Sequence, residues 1–82
     1  MIDVEKACEI ATKERHEPFV DVITDIGGGY VIGTMNEDGE TADLPPVFVD
    51  KETGKSESFF IPSHFAEIRK GTKVQIPSKF RK

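Results

Sequence analysis

The segment FVDVITDIGGGYVIGTM, residues 19–35, decides the fold because it contains two strand-like stretches joined by a run of glycines. In the first stretch, apolar residues alternate with acids at a period of two, which is typical of a half-buried strand. Residues 27–29 are all glycine, so the backbone there is free to turn with positive φ, and residues 30–35 resume as a second strand. The predicted apolar side of the first strand comprises Val20, Val22 and Ile26, and its polar side Asp21 and Asp25. The segment therefore predicts an antiparallel β-hairpin.

A helix is predicted before this hairpin. Asp3 is placed to cap its first turn, and Pro18, which lacks an N–H, prevents it from continuing, so we expect it to end before His16. Four small or apolar residues follow the helical spacing i, i+3, i+4 and i+7 and form one stripe: Val4, Ala7, Cys8 and Ala11. We expect this stripe to pack against the sheet.

A second hairpin is predicted after the first. Residues 36–43 are polar, acidic and centred on Gly39, as in a surface loop. Two prolines then lead into residues 47–49, which are apolar on both faces and so predict a central strand. Asp50 and Gly54 are typical turn residues, and residues 55–61 are predicted to return as the partner strand.

The end of the chain predicts smaller elements. Ser63 is a suitable N-cap for a short helix that would end at Gly71, and residues 72–76 suggest an edge strand. Residues 77–82 are predicted to be a frayed tail after a single domain of residues 1–76. The fold class is thus α+β, with an N-terminal helix packed on a four- to five-stranded, mainly antiparallel sheet and a short helix near the C-terminus.

Composition limits what the protein can be. With 82 residues, 37% apolar and 32% charged, the chain resembles an ordinary small globular domain with little room for a deep cleft. Cys8 is the single cysteine, so no intramolecular disulfide is possible. The first residues lack the cationic and apolar segments of a secretory signal, and no stretch approaches the roughly 20 apolar residues of a spanning helix. We expect a cytoplasmic protein without a membrane partner.

Charge is distributed unevenly along the chain. Residues 16–50 contain eight acids and no Lys or Arg, whereas residues 68–82 contain six Lys or Arg and no acid. Carboxylates without nearby bases can attract a basic partner over a long range. The alternative, which stays open, is that these segments are solvated faces or complement each other within one molecule.

No pattern for catalysis, cofactor binding or metal binding is complete. The glycine run precedes a strand rather than the helix that a dinucleotide site requires. If Gly39 is aligned with the glycine of a calcium loop, Pro45 stands where a bidentate Glu is needed. Ser63 and His64 lack a third group to orient the imidazole, and two histidines with one cysteine make no zinc set. We expect no enzyme, no catalytic residue, no cofactor and no metal.

Nucleic-acid binding is also disfavoured. Nucleic-acid binding requires clustered Lys and Arg, which neutralise phosphates, and exposed aromatic rings, which stack on bases. The C-terminal Lys and Arg residues around Phe80 fit this pattern only weakly. The net charge of -4 and the pI of about 5.1 oppose association with phosphates. We therefore expect no nucleic-acid partner.

Two stretches resemble a known family. PPVFVDKETGKSESF, residues 45–59, and SHFAEIRKG, residues 63–71, are similar to the small immunity proteins of bacterial polymorphic-toxin systems, in particular the immunity protein 35 family. In that family a proline precedes an apolar strand, followed by an acid, a turn glycine and a second strand. The likeness covers residues 29–71. It implies an α+β domain that binds and neutralises a cognate toxin and has no catalytic activity of its own.

The leading hypothesis is therefore an immunity-type, protein-binding module that recognises a basic protein through an acidic surface. Phe59 or Phe60 would supply either an apolar anchor or core packing. The alternatives are a structural or self-associating domain that pairs through the edge at residues 73–76, and a small-ligand-binding domain. We expect the chain to be a monomer or a homodimer. The predicted partner-binding residues are Glu37, Asp38, Glu40, Asp43, Asp50 and Glu52.

Overall fold

The computed structural model describes residues 1–41, 45–59 and 61–82, with the side chains of Ile61 and Ser63 excepted. Within these ranges the sheet has five strands in the order β4-β3-β2-β1-β5, and every pairing among them is antiparallel. The predicted α+β architecture is confirmed. Neither helix in the described ranges is long and apolar enough to cross a membrane. The elements are α1 Val4–Arg15, β1 Phe19–Asp25, β2 Gly29–Met35, β3 Val47–Asp50, β4 Ser56–Ser58, a 3₁₀ turn Ile61–His64, α2 Phe65–Lys70, β5 Thr72–Lys73 and a second 3₁₀ turn Ser78–Phe80.

Helix α1 forms as its sequence predicts. Asp3 Oδ1 accepts a hydrogen bond of 2.8 Å from the backbone N–H of Lys6, which satisfies one of the free donors of the first turn. The helix ends at His16, whose left-handed backbone, with φ of 56°, turns the chain toward β1. Its buried residues are Ala7, Cys8 and Ala11. The predicted stripe thus packs on the sheet, and these small side chains let the helix approach it closely.

The β1–β2 hairpin is confirmed, but β1 contains an irregularity that the sequence pattern conceals. Its register with β2 shifts between Val20 and Val22, as in a β-bulge. Val20 and Ile23 consequently lie in the core although they are three residues apart, while Val22 is only half-buried. The predicted apolar side is therefore confirmed for Val20 but wrong for Val22 and Ile26, since the extra residue moves the residues after it to the other face.

One face of the sheet and α1 enclose the core. Strand β3 lies between β2 and β4, so its predicted interior position is confirmed. Strand β4 is shorter than the predicted residues 55–61 and ends at Ser58. The Phe59 N–H still donates a bond of 2.8 Å to the Pro46 carbonyl, and a 3₁₀ turn begins at Ile61. The buried core comprises Ala7, Cys8, Ala11, Val20, Ile23, Tyr30, Ile32, Val47, Val49 and Phe80.

Helix α2 is present but starts later than predicted. Its N-cap position is His64, which makes no side-chain capping bond, so the assignment of Ser63 as N-cap is wrong because Ser63 belongs to the preceding 3₁₀ turn. The helix ends at Gly71 as expected, although with extended backbone. A Cβ at Gly71 would lie 2.5 Å from Thr24 Cγ2, so close approach to β1 is what requires glycine. The predicted edge strand is reduced to β5, which pairs with β1.

The C-terminal tail, residues 77–82, is folded onto the domain. Phe80 is only 7% exposed and belongs to the core. Lys79 Nζ lies 3.0 Å from a carboxylate oxygen of Glu5 and 3.2 Å from one of Glu9, which raises the Lys79 pKa. Arg81 Nε donates a hydrogen bond of 2.8 Å to the carbonyl of Ile76. The predicted frayed conformation is wrong, because the aromatic ring and the basic side chains find partners on α1 and its surroundings.

Candidate functional site

The acidic loop, residues 36–40, is built around one asparagine. Asn36 Oδ1 accepts hydrogen bonds of 2.9 Å from the backbone N–H groups of both Asp38 and Glu40. The backbone N–H of Asn36 returns a 2.9 Å bond to the carbonyl of Glu40, and Gly39 takes the positive φ of 80° that the turn requires. Glu37, Asp38 and Glu40 are exposed on this turn. Three of the predicted partner-binding residues are thus held together on a defined backbone.

The C-terminal tail reaches this loop. A Cβ at Gly39 would lie 2.7 Å from Lys82 Cδ and 3.0 Å from its Cε, so the lysine stem packs on the turn. This contact supports the interpretation that the basic C-terminal segment and the acidic segment lie against each other within one molecule. Within the described residues, however, the salt bridges of the tail go to α1, and none involves Glu37, Asp38 or Glu40. The three carboxylates remain available to another molecule.

The other predicted site residues do not join this loop. Strands β2 and β3 pair with Gly29 opposite Asp50, so the β3–β4 turn lies at the end of the sheet away from the acidic loop, which follows Met35. Asp50 Oδ1 accepts bonds from the backbone N–H groups of Thr53 and Glu52, and these bonds lower the Asp50 pKa. Asp50 therefore shapes its turn, and Glu52 is exposed beside it. Asp43 lies outside the described residues.

The sheet face opposite α1, called the outer face here, holds a group of residues that the acidic pattern did not indicate. Phe48 and Asp50 lie on this face of β3, and Glu57 of β4 stands directly opposite Phe48. The Phe48 ring covers Gly29, where a Cβ would lie 2.5 Å from two ring carbons. Glycine at this position therefore allows the ring to lie close to the backbone of β2.

An aromatic stack continues from Phe48. The Phe48 and Phe59 ring centroids are 5.8 Å apart, and those of Phe59 and His64 are 4.6 Å apart, with interplanar angles of 25° and 28°. These three rings, with the carboxylates of Glu57 and Glu67, line an open groove of about 260 Å³, called the aromatic groove here. His64 Nδ1 lies 3.1 Å from Glu67 Oε1. The remaining lining residues are Ile26, Gly28 and Ser58.

A shallow cleft of about 540 Å³ beside the groove contains an ion pair. Lys51 Nζ donates to both oxygens of Asp25, at 2.8 and 2.9 Å, and stands 4.9 Å from the Tyr30 ring centroid. The bond from Lys51, followed by one from the Gly27 N–H, lowers the pKa of Asp25, and the same pairing raises the pKa of Lys51. Because the pair joins the β1–β2 turn to the β3–β4 turn, we assign it a structural role.

The described residues offer no assembled metal site, since no group of three His, Cys, Asp or Glu among them could hold an ion. Burial, with a smaller contribution from the charge of Glu5, raises the pKa of the Cys8 thiol to about 11. Cys8 is therefore a neutral side chain of the core at physiological pH.

No protein-family model, curated protein or solved structure matches this chain. The similarity to the immunity protein 35 family therefore stays a prediction. Sequence reasoning identified the acidic loop but not the aromatic groove, because Phe59 and His64 meet through the turn that follows β4. The available signal was the alternation in β3, where Phe48 must point away from Val47 and Val49. Of the two predicted anchors, Phe59 is only 5% exposed and therefore serves in packing, and Phe60 lies outside the described residues.

Proposed function

We propose that this chain is a protein-binding module for a basic partner, of the immunity type, which neutralises a cognate toxin by covering a basic surface. The observation that carries the proposal is the acidic loop, where Glu37, Asp38 and Glu40 are exposed on a turn organised by Asn36. Salt bridges within the described residues leave these three carboxylates free.

The geometry of the loop suits recognition of a protein. A turn that is already hydrogen-bonded loses less conformational entropy when it binds than a flexible segment does. Three carboxylates on one turn also attract a basic partner before contact, which raises the association rate at low ionic strength. This attraction is screened beyond roughly 8 Å at physiological salt, so binding should weaken as salt is added.

Self-association through a sheet edge gains less support. The two edge strands of the described sheet are short, with three residues in β4 and two in β5, and each carries a charged residue, Glu57 or Lys73. Short, charged edges are features that discourage strand addition. The predicted edge at residues 73–76 is also partly used within the molecule, because the Val74 N–H bonds the Ile23 carbonyl and the Val74 and Ile76 side chains pack against the core.

A pull-down from the lysate of the source organism tests the proposal. The tagged chain is compared at low and moderate salt with Glu37→Lys/Glu40→Lys and with a matched control, Glu14→Lys/Asp21→Lys, which makes the same change in charge at exposed positions elsewhere. We expect a basic protein that the wild type and the control retain and the loop variant loses. Retention that the loop variant leaves unchanged at both salt concentrations would contradict the proposal.

A further inference from the structure

Helix α2 lies at the surface of the domain. None of the six residues of this helix is buried, and Phe65 is 57% exposed. The aromatic groove lies beside this helix, between it and the outer face of β3 and β4, and Glu67 of α2 forms part of its wall. An accessible groove next to an uncovered helix is a place where another molecule can dock.

The lining of the groove selects for a particular chemistry. Its walls include the half-buried rings of Phe48 and His64, which both stack on Phe59, a ring that is only 5% exposed. Its carboxylates are those of Glu57 and Glu67. The residues that line the groove include no Lys or Arg. Lys51 and Lys70 line the adjoining cleft, Lys55 lines another recess beside Phe48, and Arg15 donates a hydrogen bond of 2.9 Å to the hydroxyl of Ser58. Aromatic faces attract cations, and carboxylates add both charge and hydrogen-bond acceptors. A cationic group with flat apolar surfaces complements such a site.

From this complementarity we propose that the aromatic groove binds an arginine side chain of the basic partner, an inference that rests on the proposed function. The planar guanidinium stacks on aromatic rings and donates in a fork that matches a carboxylate. A lysine ammonium lacks both properties. The volume of about 260 Å³ lies just below the roughly 300–1,000 Å³ of typical small-molecule sites, and it suits a single anchoring side chain.

The groove and the acidic loop would then contribute differently to one interface. The loop follows Met35, whereas the groove includes Gly28 at the other end of β2, so the two regions can contact separate parts of a partner. Exposed charges of the loop act mainly on association, while an arginine inserted between aromatic rings and carboxylates acts mainly on dissociation. Variants of the two regions should therefore change different rate constants.

A titration of the ¹⁵N-labelled full chain, followed by two-dimensional NMR, tests the groove directly. The probe is N-acetyl-arginine methylamide, and the control compound is N-acetyl-citrulline methylamide, which has the same shape without the charge. We expect saturable shifts at the amides of Phe48, Glu57, Phe59 and Glu67 with the arginine compound, and an affinity at least about fivefold lower with citrulline. No saturable shift, or equal affinity for both compounds, would overturn the inference.

Variants make the test specific to the two carboxylates. Glu57→Gln/Glu67→Gln should reduce the affinity for the arginine compound at least about fivefold, whereas Glu14→Gln/Asp21→Asn, neutralised at exposed positions elsewhere, should leave it unchanged. Thermal unfolding confirms that both double variants are folded. Equal losses in both would overturn the inference, because general surface charge would then explain binding. The titration needs no native partner, so a negative result would contradict arginine binding by the groove without bearing on the proposed function. The lysate experiment with the loop variant tests the proposed function separately.

Discussion

The two faces of the sheet differ in what covers them. The helix face packs against α1 and receives Phe80 from the C-terminal tail, and its central residues Ile32 and Val49 are completely buried. The outer face is only partly covered, with Val31 buried, Phe48 half-buried and the six-residue α2 beside them. The difference teaches that the main core lies on the helix face, whereas the outer face has a smaller buried cluster that includes Val31 and Phe59 and keeps part of its surface open.

The same contrast appears in the electrostatics. On α1, Glu5 and Glu9 both form salt bridges with Lys79 of the tail, and Glu9 also pairs with Lys6. On the outer face, Glu57 makes no salt bridge within the described residues, and Glu67 pairs only with His64. Charges near the helix face therefore complement each other within the molecule, whereas those beside the aromatic groove are available to a partner.

The largest expected effect is a loss of stability, and it is tested by truncating one residue on each face of the sheet. Ile32→Ala should lower the free energy of unfolding by about 4 kcal/mol, because Ile32 is fully buried and truncation leaves a cavity between α1 and the sheet. Phe48→Ala should cost about 1.5 kcal/mol, since its ring is only half-buried. Urea unfolding measures both values. Equal costs would show that the two faces contribute equally to stability.

A smaller loss of stability tests whether the C-terminal tail packs on the helix face of the sheet. Phe80→Ala should lower the free energy of unfolding by about 3 kcal/mol, because the ring is buried in the core. Ser78→Ala, two residues earlier and exposed, is the control and should change stability by less than about 0.5 kcal/mol. Both are measured by urea unfolding. A negligible effect of Phe80→Ala would mean that the tail is frayed after all.

The smallest effect concerns the ion pair that joins the two turns. Because Lys51 and Gly27 lower the pKa of Asp25 in the folded state, the stabilisation is present above the unfolded value of about 3.9 and is lost as pH falls through the folded pKa. Asp25→Asn should therefore lower the urea midpoint at pH 7 and flatten its decrease below about pH 4. Asp21→Asn, an exposed control, should follow the wild type. If the urea midpoint of the Asp25→Asn variant falls with pH as steeply as that of the wild type, the Asp25–Lys51 pair is not the source of the acid sensitivity.

The sequence predicted one part of the candidate site, the acidic loop, but not the aromatic groove. The acidic loop was identified because its residues are consecutive, and Asn36 and Gly39 are recognisable turn formers. The separation of this loop from Asp50 could not be read in the same way, because it depends on the antiparallel register of β2 and β3. The aromatic groove was missed for a related reason, since its rings come from β3, the chain after β4 and the 3₁₀ turn.

The sequence by itself determined the elements that depend on a few neighbouring residues. Asp3 caps α1, the glycines after β1 permit the first turn, and Gly54 adopts the positive φ of 74° that the second turn needs. Backbone sterics and local hydrogen bonds act within such short segments, so their outcome is visible in the order of residues.

Only the tertiary structure decided which side chains face the core and which remain open. The bulge in β1 brings Ile23 rather than Val22 into the core, and contact with α1 and the sheet buries Phe80. Both outcomes depend on packing between residues far apart in the chain, where burial of apolar area outweighs local pattern. The same long-range packing leaves Phe48, Phe59 and His64 stacked at the edge of an open groove.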